Sequence, residues 1–347
     1  MKDFFSKLLT GMSLGIVVCL IPNALVGEIL KLIIPHAGPL ETFLTAVLNA
    51  SVLVMSLLPV IMGVLIGIQF KLNPVQMCSI GLAAFIGSGV TTMDENGVIT
   101  MAGIGTVINI GITAAIATLF VKFLDVKLKD WTLLLMPALT IFIPGLIGLA
   151  ILPYVRDASL AIGEGIIYLT NLQPVFMGML IAMVFSILIL SPISTIGVAT
   201  AIMISGVAAG AANLGVAASG VGMCIAAYKA NNLGTAIAHL ASAKIQMRNF
   251  FMKPRIAYPM IITAAILGAL SGVLQIVGTP YSAGFGLAGF VGPLKYLDLV
   301  GWNFKSITIA TVMFIALPVI LNLIFIKVFE KKFKWIKSDD YLVSYEH

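Results

Sequence analysis

The feature that most constrains this chain is a series of apolar runs, most of them close to the length of a membrane crossing. A bilayer core of about 30 Å takes about twenty apolar residues of α-helix to span. Runs of that kind lie at 9–30, 43–68, 104–123, 131–153, 175–190, 196–215, 256–277 and 307–329, with shorter or Gly-rich stretches at 74–90, 216–228, 233–243 and 281–294. In lipid a backbone polar group has no water to pair with, so helices are the form such runs must take. Of the 347 residues 60% are hydrophobic and 10% charged, and the mean hydropathy is +1.11. The expected fold is therefore an all-α polytopic membrane protein. The first run is too long for the apolar core of a signal peptide and reads as the first membrane helix.

Charge sets the expected orientation. The net charge of +6 is gathered in short segments: Lys2 and Lys7; Lys122, Lys127 and Lys129; Arg248, Lys253 and Arg255; and Lys327, Lys331, Lys332, Lys334 and Lys337. Such clusters next to apolar runs mark cytoplasmic loops rather than a nucleic-acid footprint. Both termini are then expected inside, which requires an even number of crossings, about ten, with re-entrant or broken segments besides. The acidic turn Asp94–Glu95 is expected away from the cytoplasm, and Trp131, Trp302 and Trp335 at the membrane interfaces. Cys19, Cys78 and Cys224 form no CxxC pair and read as small buried residues, giving neither a disulfide nor a metal site.

Two stretches match each other. "PVIMGVLIGIQF" from Pro59 is echoed by "PVFMGMLIAMVF" from Pro174, and "SIGLAAFIGSGV" from Ser79 by "TIGVATAIMISGV" from Thr195. The shared order of Pro and Gly landmarks predicts repeat units at about 8–123 and 131–228, followed by a C-terminal part at 229–347, all within one membrane domain. Paired, Gly/Pro-interrupted segments point to a transporter with its site where the repeats meet. The C-terminal part holds a Gly-rich, hairpin-like run from Gly278, a last helix and a basic tail.

Polar residues in such a chain need a partner or a task. In "NNLGTAIAHLASAKIQ", Asn232, Thr235, His239, Ser242 and Gln246 follow one another at steps of three and four, which lays them on one helical face. Amide, hydroxyl and imidazole offer donors and acceptors without net charge, as a site for an uncharged polyol would. The same residue types also join membrane helices by hydrogen bonds, and that reading stays open beside the first. The segment is short and is followed at once by Arg248, so it is expected to be a re-entrant helix opening from the cytoplasmic side. Glu164, between two glycines, and Gln173, before Pro174, are further candidates for hydroxyl recognition. "SPISTIG" breaks a helix at Pro192, and there Ser194 and Thr195 can satisfy freed backbone groups. Asn213 lies in a stretch of small residues that something must approach closely. No HExxH, GxSxG or intramembrane Asp pair is present, so no catalytic residue is expected.

Together, "QPVFMGMLIAMVFSILILSPISTIG", "GAANLGVAASGVG", "NNLGTAIAHLASAKIQM" and "GTPYSAGFGLAGFVGPL" resemble the membrane (IIC) component of phosphotransferase-system sugar permeases. More narrowly, they resemble the subgroup that includes perfringolysin-regulator-like membrane proteins. The resemblance covers nearly the whole chain. It implies a homodimeric protein of the bacterial inner membrane that moves a sugar or sugar-like solute by alternating access, without a cofactor. Any phosphorylation would be done by separate IIB and IIA partners. Some members of the subgroup are regulators, so the alternative is a non-transporting sensor that binds a sugar or partner and controls gene expression.

Overall fold

The computed structural model describes residues 2–93, 97–101, 103–128 and 131–343, the side chains of 24, 25, 28 and 32 excepted. The Asp94–Glu95 turn lies outside the described residues. The chain divides into two compact units, Met1–Ala158 and Ser159–Tyr345, with the division inside a helix.

The first unit opens with α1 (Lys2–Ile33), α2 (Glu41–Ser56), α3 (Leu58–Gln69) and α4 (Pro74–Gly87). An antiparallel hairpin of β1 (Thr91–Met93) and β2 (Ile99–Met101) then pairs Thr92 with Thr100 and leads into α5 (Val107–Leu128). Small residues set how closely these helices pack. In "GMSLG" of α1, a Cβ on Gly11 would lie 2.6 Å from the Cα of Ile66, and one on Gly15 would lie 2.8 Å from that of Met62, both on α3. Backbones that meet this closely gain dispersion contacts that lipid cannot offer. Gly63 of α3 faces Gly81 of α4 in the same way. A capping box starts α4, with the Asn73 side chain accepting from the Gln76 amide and Gln76 accepting from the Asn73 amide, both at 3.0 Å. Buried Asn109 on α5 donates to the carbonyls of Gly87 (2.5 Å) and Gly148 (2.8 Å) and so ties three helices together.

The division falls within α6 (Thr132–Thr170), a 39-residue helix with Pro137, Pro144 and Pro153 inside it. The second unit continues with α7 (Pro174–Leu188), α8 (Thr195–Ala201), α9 (Gly206–Tyr228), α10 (Leu233–Ala241), α11 (Met247–Met252) and α12 (Tyr258–Leu274). It ends with α13 (Val291–Val300), α14 (Phe304–Thr311) and α15 (Leu317–Lys327), the last two joined through a π turn at Val312–Ala316. A second π turn at Val328–Lys332 leads into the tail.

Helix α9 is the centre of this unit, and α7, α10, α12 and α15 all pack on it. Its residues 208–223 are all buried. They are mostly Gly and Ala, so neighbouring backbones come directly against it. A Cβ on Gly215 would fall on the carbonyl oxygen of Ala182 in α7. On α7 and α12, Gly178 and Gly268 face each other so closely that a Cβ on either would fall on the other's carbonyl oxygen. Polar pairs lock the same contacts: the Ser186 and Ser219 hydroxyls lie 2.7 Å apart, and Asn322 of α15 donates to the carbonyl of Ala218 at 3.0 Å.

Among the described residues seven helices are long and apolar enough to cross a membrane, and three more, α3, α4 and α7, are apolar but shorter. Two expected runs are divided. The stretch 43–68 breaks at Leu57, because Pro59 brings no amide hydrogen to the first turn of α3. The stretch 196–215 breaks at 202–205, where Met203 (φ 51°) and Gly206 (φ 61°) take left-handed backbone, and its second half runs on through 216–228 as α9. The Gly-rich run from Gly278 is a coiled loop, not a hairpin. Its one ladder contact is the bridge between Gly206 and Gly278. The β hairpin at 91–101 was not foreseen.

Candidate functional site

Polar side chains and irregular backbone gather along α9. The first layer forms where the loop 275–290 crosses it. This loop must lie against the helix, since a Cβ on Gly286 (φ 62°) would sit 2.7 Å from the Ala217 nitrogen. Gly286 donates its amide to Asn213 Oδ1 at 3.1 Å, and Asn213 is only 1% exposed. Thr195, at the start of α8, donates its hydroxyl to the carbonyl of Gly284 at 2.8 Å. The break at 189–194 is thus tied through Thr195 to the irregular loop 275–290, and that loop is tied to α9 through Asn213. Backbone of this kind persists at membrane depth only where protein surrounds it or where it lines a cavity. The Asn213 amide nitrogen is buried with no hydrogen-bond partner. A lone buried donor is costly, and a ligand acceptor would satisfy it.

The second layer is α10 and the turn after it. Asn232 caps α10, its side chain accepting from the Thr235 amide at 2.8 Å. His239 is fully buried in the last turn, with Nδ1 at 2.8 Å from the Thr235 carbonyl and 3.0 Å from that of Ala236. Two carbonyls facing Nδ1 require its proton there, which leaves Nε2 as an acceptor. The Gln246 amide nitrogen donates to that Nε2 at 3.1 Å and to the Tyr341 carbonyl at 2.8 Å. Asn249 donates to Gln246 Oε1 at 2.7 Å and to the carbonyl of Leu342 at 2.9 Å. Asn231 donates to the Tyr341 carbonyl at 3.0 Å and accepts from the Val343 amide at 2.8 Å. The C-terminal tail thus covers the stripe at its Gln246 end and holds Asn231 and Asn249 beside it.

That tail is not a solvated appendage. Tyr341 is 1% exposed, packs in the same apolar cluster as Ile336 and α9, and donates its hydroxyl to the Ile256 carbonyl at 3.0 Å. Burial, then the negative charges of Asp340 and Glu330, push the Tyr341 hydroxyl up from its ordinary range, which keeps it a donor.

The remaining expected residues are dispersed. Ser194 caps α8, accepting from the Gly197 amide at 3.0 Å, and Ser242 ends α10 as a buried residue. Gln173 caps α7 from an exposed position, accepting from the Phe176 amide at 3.2 Å. Glu164 is exposed on α6. A cavity of about 360 Å³ between the end of α6, the start of α7 and the turn before α9 is lined by Thr170, Met203 and Ser205, and it reaches neither His239 nor Asn213.

Two features escaped the sequence reading. Lys244 is buried between Ser242 and Gln246, and its ammonium donates to the carbonyls of Ser191 (2.5 Å) and Ile193 (2.6 Å), the carbonyls that the break after α7 leaves free. A cation at the C-terminal end of a helix also meets the negative end of its dipole. The signal was available, since a lysine in an apolar stretch demands a partner. Tyr341 gave no comparable signal, being one aromatic in a charged tail.

The family model described as "Phosphotransferase system, EIIC" matches residues 6–343 of the chain. No curated protein matches it.

Proposed function

Because the chain belongs to the EIIC family of the phosphotransferase system, a family of membrane permeases, we propose that it carries one sugar-like solute past α9 by alternating access. The observation that carries this reading is the uncharged polar wall along that helix: Asn213 with its unpartnered amide, the loop backbone at 284–286, α10 with Thr235 and His239, and Gln246 in the turn after it. Asn213 and Gly220, against which the end of α10 packs, are separated by roughly 10 Å at 1.5 Å per residue, about the length of a small saccharide. Amides, hydroxyls and neutral imidazole can exchange hydrogen bonds with sugar hydroxyls without burying charge. The family implies a sugar substrate and separate IIA and IIB phosphocarriers, which would supply any phosphoryl group. Glu164, Gln173, Ser194, Thr195 and Ser242 are assigned here to orientation of the solute or of the segments around it.

The finer architecture is proposed on the same footing. Ten crossings with both termini in the cytoplasm are supported by the seven long helices together with apolar α3, α4 and α7. A repeat is supported by the matched use of Pro59/Gly63 and Pro174/Gly178. In each case a Pro opens a short helix, and the Gly four residues on receives another helix backbone. A homodimer is consistent with the long exposed apolar faces of α2 and α6.

Uptake of radiolabelled sugars by proteoliposomes tests the assignment. His239→Ala and Asn232→Ala are expected to abolish uptake while the protein still inserts. Asn232→Asp, which keeps the helix cap but loses the amide donor, separates recognition from capping. Normal uptake by both alanine variants would sink the proposal. The reading as a regulator, which goes with the perfringolysin-regulator-like subgroup, is favoured by one observation: the tail is bonded to the end of the stripe at Gln246. Sugar binding without accumulation or exchange in the same vesicles would decide for it.

A further inference from the structure

The basic end of α15 encloses a cavity of about 200 Å³ with the last turns of α9 and the tail. Four lysines, Lys229, Lys327, Lys331 and Lys337, line it with one acidic residue, Glu330. Glu330 is taken by Lys229 at 3.0 Å, which leaves three lysines with no carboxylate partner among the described residues. Like charges gathered around one small volume repel unless an anion joins them. Ser338 also lines this cavity, and its hydroxyl is buried without a hydrogen-bond partner. The floor is apolar, made by Leu323 and Ile326. Beside it Tyr258, Phe329, Phe333 and Trp335 form an aromatic cluster with ring centroids 5.1–6.1 Å apart, the kind of belt found at the bilayer surface.

We propose that this cavity binds a phosphate ester, with Lys327, Lys331 and Lys337 around the phosphoryl oxygens, the Ser338 hydroxyl donating to one of them, and the ester's carbon skeleton over Leu323 and Ile326. The volume is that of roughly seven waters, enough for a phosphate with a glyceryl-sized substituent. Basic pockets between membrane helices hold lipid headgroups by this chemistry, and a soluble phosphate monoester presents the same group. The inference does not depend on which solute the permease carries.

Trp335 adjoins Ile336 on the cavity wall and serves as the reporter. In full-length protein carrying Trp131→Phe and Trp302→Phe, its emission is followed in phosphatidylcholine nanodiscs as phosphatidylglycerol is raised, and separately as glycerol 3-phosphate is added. A saturable change is expected in at least one arm, and the arm that responds identifies the source as lipid or soluble ester. Lys331→Gln with Lys337→Gln, both at exposed positions, should raise the half-saturation point by about tenfold or more, and Ser338→Ala should raise it less. No saturable response in either arm overturns the proposal. So does a response that the double lysine variant and Ser338→Ala both leave unchanged.

Discussion

Replacing Tyr341 by Ala should release the C-terminal tail as a unit. The tail is held at few points. Its ion pair, Lys253 with Asp340 at 2.5 Å, is largely exposed on the lysine side and contributes at most about 1 kcal/mol. The bonds from Asn231, Gln246 and Asn249 each replace a bond to water and contribute about 1 kcal/mol. The ring of Tyr341, 1% exposed, is the one large apolar anchor after Ile336, and removing a buried aromatic ring costs about 3–5 kcal/mol. At about 1.4 kcal/mol per tenfold, opening of residues 341–343 becomes more than a hundredfold more frequent. Hydrogen exchange at the Val343 amide, bonded to Asn231 Oδ1 at 2.8 Å, reads this directly. The Trp335 amide, bonded to the Phe329 carbonyl at 3.0 Å, is the internal control and should keep its protection. Tyr341→Phe, which loses only the bond to Ile256, should speed exchange at Val343 by about fivefold. Unchanged protection of Val343 in the alanine variant would refute the idea that the ring anchors the tail.

Other consequences are equally open to measurement. Because the folded state raises the Tyr341 pKa, the tail's stability is fully present below the ordinary tyrosine pKa of about 10 and declines as pH rises above it. Val343 protection should show that alkaline loss, and Tyr341→Phe should remove it. Gly178→Val places side-chain atoms on the Gly268 carbonyl and should cost about 3 kcal/mol or more, seen as a lower melting temperature in detergent. Asn109→Leu strands the carbonyl of Gly87 at the end of α4 and removes the second bond to that of Gly148, and a loss of about 2 kcal/mol is expected in the same assay. Asn213→Ala removes the acceptor for the Gly286 amide and should raise the half-saturation for solute while leaving insertion intact.

The spans were legible because membrane crossing demands length and apolarity, both of which are written linearly. The breaks were less so. Nothing in the hydropathy of Ile202–Ser205 distinguishes it from its flanks, and the interruption comes from left-handed backbone at Met203 and Gly206, which depends on the bridge to Gly278 far along the chain. The stripe from Asn232 to Gln246 was visible from its spacing, although only Asn232 to Ser242 belong to α10 and its caps, and Gln246 reaches His239 through a following 3₁₀ turn. What spacing could not reveal is the occupant of the other side. Tyr341, Leu342 and Val343 meet Gln246 and the neighbouring Asn249 and Asn231 through backbone groups, and backbone groups leave no mark in composition.

The Ala- and Gly-rich surface that lets α9 sit at the centre also bears on how the protein is made. With α2 it is the least apolar of the seven long helices. Insertion into lipid is favoured by Leu, Ile, Phe and Val, and α9 has few of them. Of the helices that cover it, α7 is synthesised before it, whereas α10, α12 and α15 follow. During translation α9 therefore leaves the ribosome as a marginal membrane segment with one partner in place, and its residence in the bilayer becomes secure only when α12 and α15 arrive.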